Sequence, residues 1–180
     1  IYNLGMLTVT SSTISDNGAT DGGSGGGIYN AGGTVTVINS TISGNSATAV
    51  GGGIDSAGAF TVINSTISAN GVTNIDARGG GIFLTAGALR ISNTTIALNS
   101  VLGERARDAG ISALEDADVV VKNSIVARNQ GYGDMNCSVP LAASGTNFDT
   151  DGSCGAGFTQ VTAAALNLGL LAANGGPTLT

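Results

Sequence analysis

One unit of 26 to 29 residues repeats along most of this chain, and that repetition restricts the possible folds more than any other feature. The isoleucines that follow the glycine runs, Ile1, Ile28, Ile54, Ile82 and Ile111, lie 27, 26, 28 and 29 residues apart. Periods of this length belong to solenoids, propellers or arrays, and a propeller blade needs about 40 residues. Within a unit the apolar residues alternate, as in Thr34-Val35-Thr36-Val37, with no 3.6-residue period and many β-branched side chains between Gly and Asn. Each unit therefore predicts two or three short strands joined by turns. Stacked at about 4.8 Å per rung, such units form an all-β parallel β-helix. About five regular rungs fill residues 1–130, and an atypical terminal rung or cap of the same domain fills 131–180.

The repeat also predicts which side chains point inward. Val37, Asn39 and Ile42 take the inward positions, with counterparts Val62/Asn64/Ile67, Ile91/Asn93/Ile96 and Val121/Asn123/Val126. Asn39, Asn64, Asn93 and Asn123 would then stack as an internal amide ladder, satisfying polar groups that an apolar core cannot. The glycines at 25–27, 51–53 and 79–81 keep register with the strands and predict a corner needing positive φ or close backbone approach. The segment after the second Asn of each unit varies in length and composition, as a surface loop on one face would. In the fifth unit the triplet is reduced to Asp108-Ala109-Gly110.

Composition narrows the function classes. A net charge of −6 with only six Lys and Arg argues against nucleic acid and anionic membranes as partners. No apolar run reaches the roughly 18 residues of a transmembrane helix. Cys137 and Cys154 read as one disulfide of an oxidising compartment. With no His and no other Cys, a zinc site is not expected. Ile1-Tyr2-Asn3 matches Ile28-Tyr29-Asn30, so the sequence opens in mid-repeat, like a processed chain or a piece of a longer one. Residues 163–171 predict a short helix or a last apolar coil, and Asn174-Gly175-Gly176-Pro177 predicts a turn.

Candidate chemistry is sparse. Asn147-Phe148-Asp149-Thr150-Asp151-Gly152 matches the first half of a calcium loop, with Asn147, Asp149 and Asp151 as ligands. Phe158 stands where a bidentate Glu is expected, so an Asx-rich turn is the rival reading, and no other cofactor is implied. The sequons at Asn39, Asn64 and Asn93 are rejected as glycan acceptors because those residues are expected inside. Thr13, Thr41, Thr66 and Thr95 form a row at rung spacing that raises ice or glycan binding, although Thr is also simply a good strand residue. The acids, Asp16, Asp21, Asp55, Asp76, Asp108, Glu115, Asp116 and Asp118, mostly fall in variable loops, so no catalytic residues are assigned.

Gly-Gly-Gly-Ile paired with Ile-x-x-Asn, as in Ile42-Ser43-Gly44-Asn45, Ile67-Ser68-Ala69-Asn70 and Ile96-Ala97-Leu98-Asn99, resembles the repeats of polymorphic outer membrane proteins. The chain is more similar still to large bacterial surface proteins of the choice-of-anchor, right-handed β-helix type. Their closing motifs match Asn136-Cys137, Gly145-Thr146-Asn147, Asp151-Gly152-Ser153-Cys154 and the stretch from Leu168 to Thr178, with Leu170 and Ala173 departing from the usual Pro and Asp. The resemblance implies a right-handed coil and a secreted or surface-displayed protein, and brings no catalytic residues with it. The expected function is a non-enzymatic extracellular β-solenoid, an adhesin or spacer or a self-stacking filament subunit. Its expected partners are surface glycans, other cells, or further copies of itself head to tail. The alternative is a carbohydrate-active β-helix enzyme, a polysaccharide lyase or hydrolase.

Overall fold

The computed structural model describes residues 1–132, 135–174, 176 and 178–180. The chain winds as a parallel β-solenoid. The first coil holds β1 (Tyr2–Asn3), β2 (Met6–Thr10), β3 (Thr13–Ser15) and β4 (Gly18–Ala19). The second holds β5 (Ile28–Asn30), β6 (Thr34–Ile38), β7 (Thr41–Ser43) and β8 (Ser46–Ala47), and the third β9 (Ile54–Ser56), β10 (Ala59–Ile63), β11 (Thr66–Ser68) and β12 (Gly71–Val72). The fourth holds β13 (Ile82–Leu84), β14 (Ala88–Ser92), β15 (Thr95–Ala97) and β16 (Ser100–Val101). The fifth holds β17 (Ile111–Ala113), β18 (Asp118–Lys122) and β19 (Ile125–Ala127), and the cap adds β20 (Ala142–Ser144), β21 (Phe148–Asp149), β22 (Thr159–Gln160) and the helix α1 (Ala163–Leu166).

Like strands stack into four parallel sheets. Sheet A runs β1-β5-β9-β13-β17, and sheet B runs β2-β6-β10-β14-β18-β20. Sheet C runs from β3 through β7, β11, β15, β19 and β21 to β22, and sheet D is β4-β8-β12-β16. From β1 to β17 the chain completes four turns. The register follows the repeat without slippage: Ile28, Ile54, Ile82 and Ile111 stack in one column. Val37, Val62, Ile91 and Val121 stack in another, and Ile42, Ile67, Ile96 and Val126 in a third. All twelve are buried. A one-residue slip would turn each column to solvent, which is why the pattern fixes the register.

The asparagine ladder is where the expectation fails. Asn39, Asn64, Asn93 and Asn123 sit at φ 48–50° in the left-handed region. Three of them are exposed and Asn39 is half-buried. They make the bend between sheets B and C, a conformation that Asn adopts more readily than most residues. A left-handed residue breaks strict alternation, so the next residue, not the Asn, turns inward. Ser40, Ser65, Thr94 and Ser124 are buried there, each hydroxyl donating to the carbonyl two residues earlier.

The internal amide ladder is built instead by the second Asn of each unit. Asn17, Asn45, Asn70, Asn99, Asn129 and Asn136 form one chain in which each Nδ2 donates to the next Oδ1 at 2.9–3.0 Å. The same Oδ1 atoms accept backbone N–H groups from the preceding rung at 3.0–3.2 Å. The Nδ2 atoms of Asn45, Asn70, Asn99 and Asn129 give their second hydrogen to Ile14, Ile42, Ile67 and Ile96 carbonyls. In these four residues both donors and both acceptor sites of the amide are in use.

The glycine corners behave as expected, for two different reasons. Gly25, Gly51 and Gly79 have φ of 62–65°, and in the fifth unit Asp108 takes that role at φ 58°. The middle glycines yield to close backbone approach: a Cβ on Gly52 would lie 2.5 Å from the carbonyl oxygens of both Gly71 and Gly80. The variable segments are not wholly surface. Val72, Ala77, Val101, Ala106 and Ala109 make a second small core under residues 73–78 and 102–107, which stack on one another through Arg105 N–H to Ile75 O and Arg107 N–H to Ala77 O.

At the far end β20 extends sheet B and β21 and β22 extend sheet C. Cys137 and Cys154 form a buried disulfide. Residues 163–166 make the short helix, capped by the Thr162 hydroxyl, and the following segment folds back over the outer face of sheet C. The Thr41 hydroxyl donates to Leu179 O at 2.5 Å, and Arg128 Nη1 donates to Leu168 O at 3.1 Å. The Thr row is therefore largely roofed: Thr13, beyond the returning segment, is exposed, whereas Thr41 and Thr66 are buried. Of the turn expected at 174–177, Gly175 and Pro177 lie outside the described residues.

Candidate binding groove

The three calcium candidates each serve the hydrogen bonding of the fold. Asn147 Oδ1 accepts Ser124 N–H at 2.9 Å and so continues the buried hydroxyl row as its last member. Asp151 accepts Asn136 N–H, Ser153 N–H and the Ser153 hydroxyl. Asp149 lies below Val126 in the inward column, with Oδ2 accepting Cys154 N–H at 3.1 Å and Oδ1 buried without a partner. Its carboxyl pKa is raised, first by burial and then by the neighbouring charge of Asp151, against the Cys154 N–H that lowers it. Two of the three side chains are spent on backbone groups of the cap. Among the described residues no cluster of three or more His, Cys, Asp or Glu could hold a metal ion.

Aromatic and acidic side chains line up on the outer face of sheet A. In each β-strand of that sheet the residue after the repeat isoleucine points away from the core. In register these are Tyr2, Tyr29, Asp55, Phe83 and Ser112. Four rung steps separate the first from the last, about 19 Å. The Tyr2 and Tyr29 rings lie 5.5 Å apart at 58°. Although they face outward, Asp55, Phe83 and Ser112 are only 5, 8 and 1% exposed. The glycine corner with its stacked inserts rises on one side, and the turn into sheet B on the other. Asp55 accepts the Thr85 hydroxyl on the turn at 3.5 Å, and Ser24 stands on its corner side.

The column is narrow in its middle and opens at both ends. At the N-terminal end Tyr2 is exposed and Tyr29 half-buried. At the other end a cleft of about 440 Å³ is bordered by Arg78, Arg107, Asp108, Leu114, Glu115 and Ser138 among others. That volume lies within the range of small-ligand sites. Arg78 and Arg107 are bridge partners one rung apart, and both side chains are exposed. Asp108 is buried at the cleft floor, and its Oδ2 accepts the Ser112 hydroxyl at 3.2 Å.

Burial sets the electrostatics of this face. Desolvation pushes the Asp55 carboxyl up to about 6, against the lowering effect of the Thr85 and Ser24 hydroxyls. Asp108 is raised for the same first reason, opposed by the Ser112 hydroxyl and by the charges of Arg78 and Arg107. Sequence reasoning placed most acids in loops, yet Asp55 stands mid-strand in β9. The signal was available: the residue after the repeat isoleucine reads Tyr, Tyr, Asp, Phe, Ser down the repeats. The pairing of Arg78 with Arg107 was harder to see, because it depends on two inserts of equal length stacking.

No curated protein and no solved structure matches the chain significantly. A family model described as a right handed beta helix region matches residues 1–147, and the parallel coil with its unbroken register is the architecture that this description requires. The chain belongs to the right-handed β-helix family.

Proposed function

We propose that this solenoid is a non-enzymatic extracellular binding module, an adhesin or spacer that recognises surface glycans along the sheet A groove. The observation that carries this reading is the column Tyr2, Tyr29, Asp55, Phe83 and Ser112, which sets three of the chain's seven aromatic residues in one line on one face. Flat rings in line with hydroxyl and carboxylate groups suit the mixed apolar and hydroxylated faces of sugars. The disulfide fits an oxidising compartment, and among the described residues no helix is long and apolar enough to cross a membrane. Binding of the intact chain to a panel of immobilised neutral and acidic oligosaccharides tests the reading. Binding that falls at least tenfold in Tyr29→Ala is expected. Affinity unchanged in Tyr29→Ala and in Phe83→Ala would place recognition elsewhere.

Strands β1 to β4 are hydrogen-bonded on one side only, so another coil can stack on that edge, in cis or from a second copy. Sedimentation of the purified chain over a range of concentrations separates a monomeric module from a self-stacking filament subunit.

A second reading, a carbohydrate-active enzyme, draws on one observation. Asp55 and Asp108, both buried and both with raised pKa values, lie along the same face with Phe83 in the rung between. Two carboxyl groups on one face are what glycoside hydrolysis needs. Reducing-end release from polysaccharides that is lost in both Asp55→Asn and Asp108→Asn would favour this reading over a binding module.

A further inference from the structure

The stack of Arg78 on Arg107 is an electrostatic conflict within an otherwise self-consistent fold. In-register residues on neighbouring rungs are about 4.8 Å apart, and like charges in direct register destabilise a sheet. In the strand registers of sheets A, B and C no two like charges stand directly in register. In sheet B Arg90 reaches diagonally to Asp118 on the next rung in a salt bridge, the one ion pair among the described residues. Arg78 and Arg107 have no such partner within salt-bridge distance among the described residues. Both arginines act on the buried carboxylate of Asp108, which is already bonded to Ser112. A third of the chain's six Lys and Arg thus stands at one cleft, beside the buried carboxylate of Asp108 and the exposed Glu115. Places where a chain breaks a local rule, as like charges in register do here, tend to be functional or strained sites.

We propose that Arg78 and Arg107 form a clamp for the acidic group of a glycan, a uronate carboxylate or a sulfate ester, seated in the cleft of about 440 Å³. This rests on the reading of the sheet A face as a glycan-binding groove and adds the class of sugar it takes. Two guanidinium groups one rung apart offer planar donor pairs that match carboxylate and sulfate oxygens, which an ammonium group would not. An incoming anion between the two guanidinium groups relieves the repulsion of like charges in register. Leu114 and Val139 line the same cleft and offer apolar surface to the sugar ring, and the Ser138 hydroxyl is within the same lining. Glu115, exposed on the opposite rim, opposes the anion, so it limits affinity and disfavours highly charged polymers.

The test uses the full chain and three soluble polymers: a polyuronate, a sulfated galactan and a neutral galactan. Titration of the wild type is expected to give affinity for at least one acidic polymer at least tenfold above that for the neutral one, weakening as salt rises. Arg78→Gln and Arg107→Gln are exposed substitutions, and each is expected to remove most of that preference while leaving neutral binding unchanged. Glu115→Gln is expected to raise acidic affinity several-fold. Whether uronate or sulfate binds identifies the natural acid. Equal affinity for all three polymers, unaltered in both arginine variants, overturns the clamp but leaves the groove. Loss of all polymer binding in Tyr29→Ala with the arginine variants unaffected does the same. No binding of any polymer overturns both.

Discussion

At the scale of single residues, two asparagines per unit that look alike in sequence have opposite roles. Asn70 lies wholly inside, where its Oδ1 accepts both the backbone N–H and the Nδ2 of Asn45. Replacing it by Ala strands two buried donors, and each unsatisfied group costs about 1–3 kcal/mol. Asn70→Ala is expected to destabilise by about 3 kcal/mol in a denaturant titration. Asn64→Ala, on the exposed bend, is expected to cost under about 1 kcal/mol, the strain of Ala at φ 48°. Comparable losses in the two variants would contradict the ladder assignment. Asp55 makes a second prediction. Its folded pKa of about 6 lies above the unfolded carboxylate value, so the folded chain holds a proton that the unfolded chain has lost. Stability from this group is therefore full below about pH 4, falls as pH rises to about 6, and is flat above. Asp55→Asn removes this fall, and is expected to gain about 2 kcal/mol over the wild type at pH 7 relative to pH 4. A wild-type denaturation midpoint with no downward slope between pH 4 and 6, and no difference from the variant, would count against a raised Asp55.

At the scale of elements, the strands are short and the corners decide where they can run. A strand of three to five residues has little intrinsic stability alone, and inside the stack it persists because it is paired with the rung on either side. The corners must bring one backbone within contact of the next, and the middle glycine of each triplet is the point of closest approach. Gly52→Ala would push a methyl group onto the carbonyls of Gly71 and Gly80, backbone atoms that cannot swing aside. A loss of about 2 kcal/mol or more is expected by thermal or chemical denaturation. Gly5→Ala is the control, since a Cβ there meets nothing within 4 Å and φ is ordinary. It should be neutral within about 0.5 kcal/mol. Similar effects of the two would mean that the corner is looser than its contacts indicate. The fifth corner shows the same rule from the other side: Ala109 is accepted where Gly26, Gly52 and Gly80 stand in earlier coils, because the rung beyond it is the irregular cap.

At the scale of the whole molecule, the solenoid is a one-dimensional stack whose ends are treated differently. At the first coil Leu7 and Ile14 are only partly buried and Met6 is 94% exposed. At the other end the cap joins sheets B and C and closes with the Cys137–Cys154 disulfide, whose sulfurs belong to the main core. Cross-linking residues 17 apart restricts the unfolded chain by about 3 kcal/mol. Reduction under native conditions is expected to increase amide exchange in residues 136–161 first, with the second to fourth coils protected longer. Uniform loss of protection along the chain would show that the cap and coils unfold as one unit. Leu168 meets Arg128 of the fifth coil and Leu179 meets Thr41 of the second, so the returning residues touch rungs that nearest-neighbour stacking leaves independent.

The repeat period and its two-residue alternation determined the coil, the strand register, the apolar columns and the glycine corners, because these follow from spacing alone. The sequence also carried the position of the disulfide, since the chain holds one pair of cysteines. Which asparagine faces inward was decided only by the bend, where one left-handed residue inverts the alternation that spacing had set. The roofing of the threonine row depended on a segment more than a hundred residues away folding back, which no local pattern encodes. The groove has the same origin. Tyr29, Asp55 and Phe83 are 26 to 28 residues apart, and Arg78 meets Arg107 only because two inserts of equal length stack in register. Their chemistry becomes common only when the third dimension places successive rungs about 4.8 Å apart.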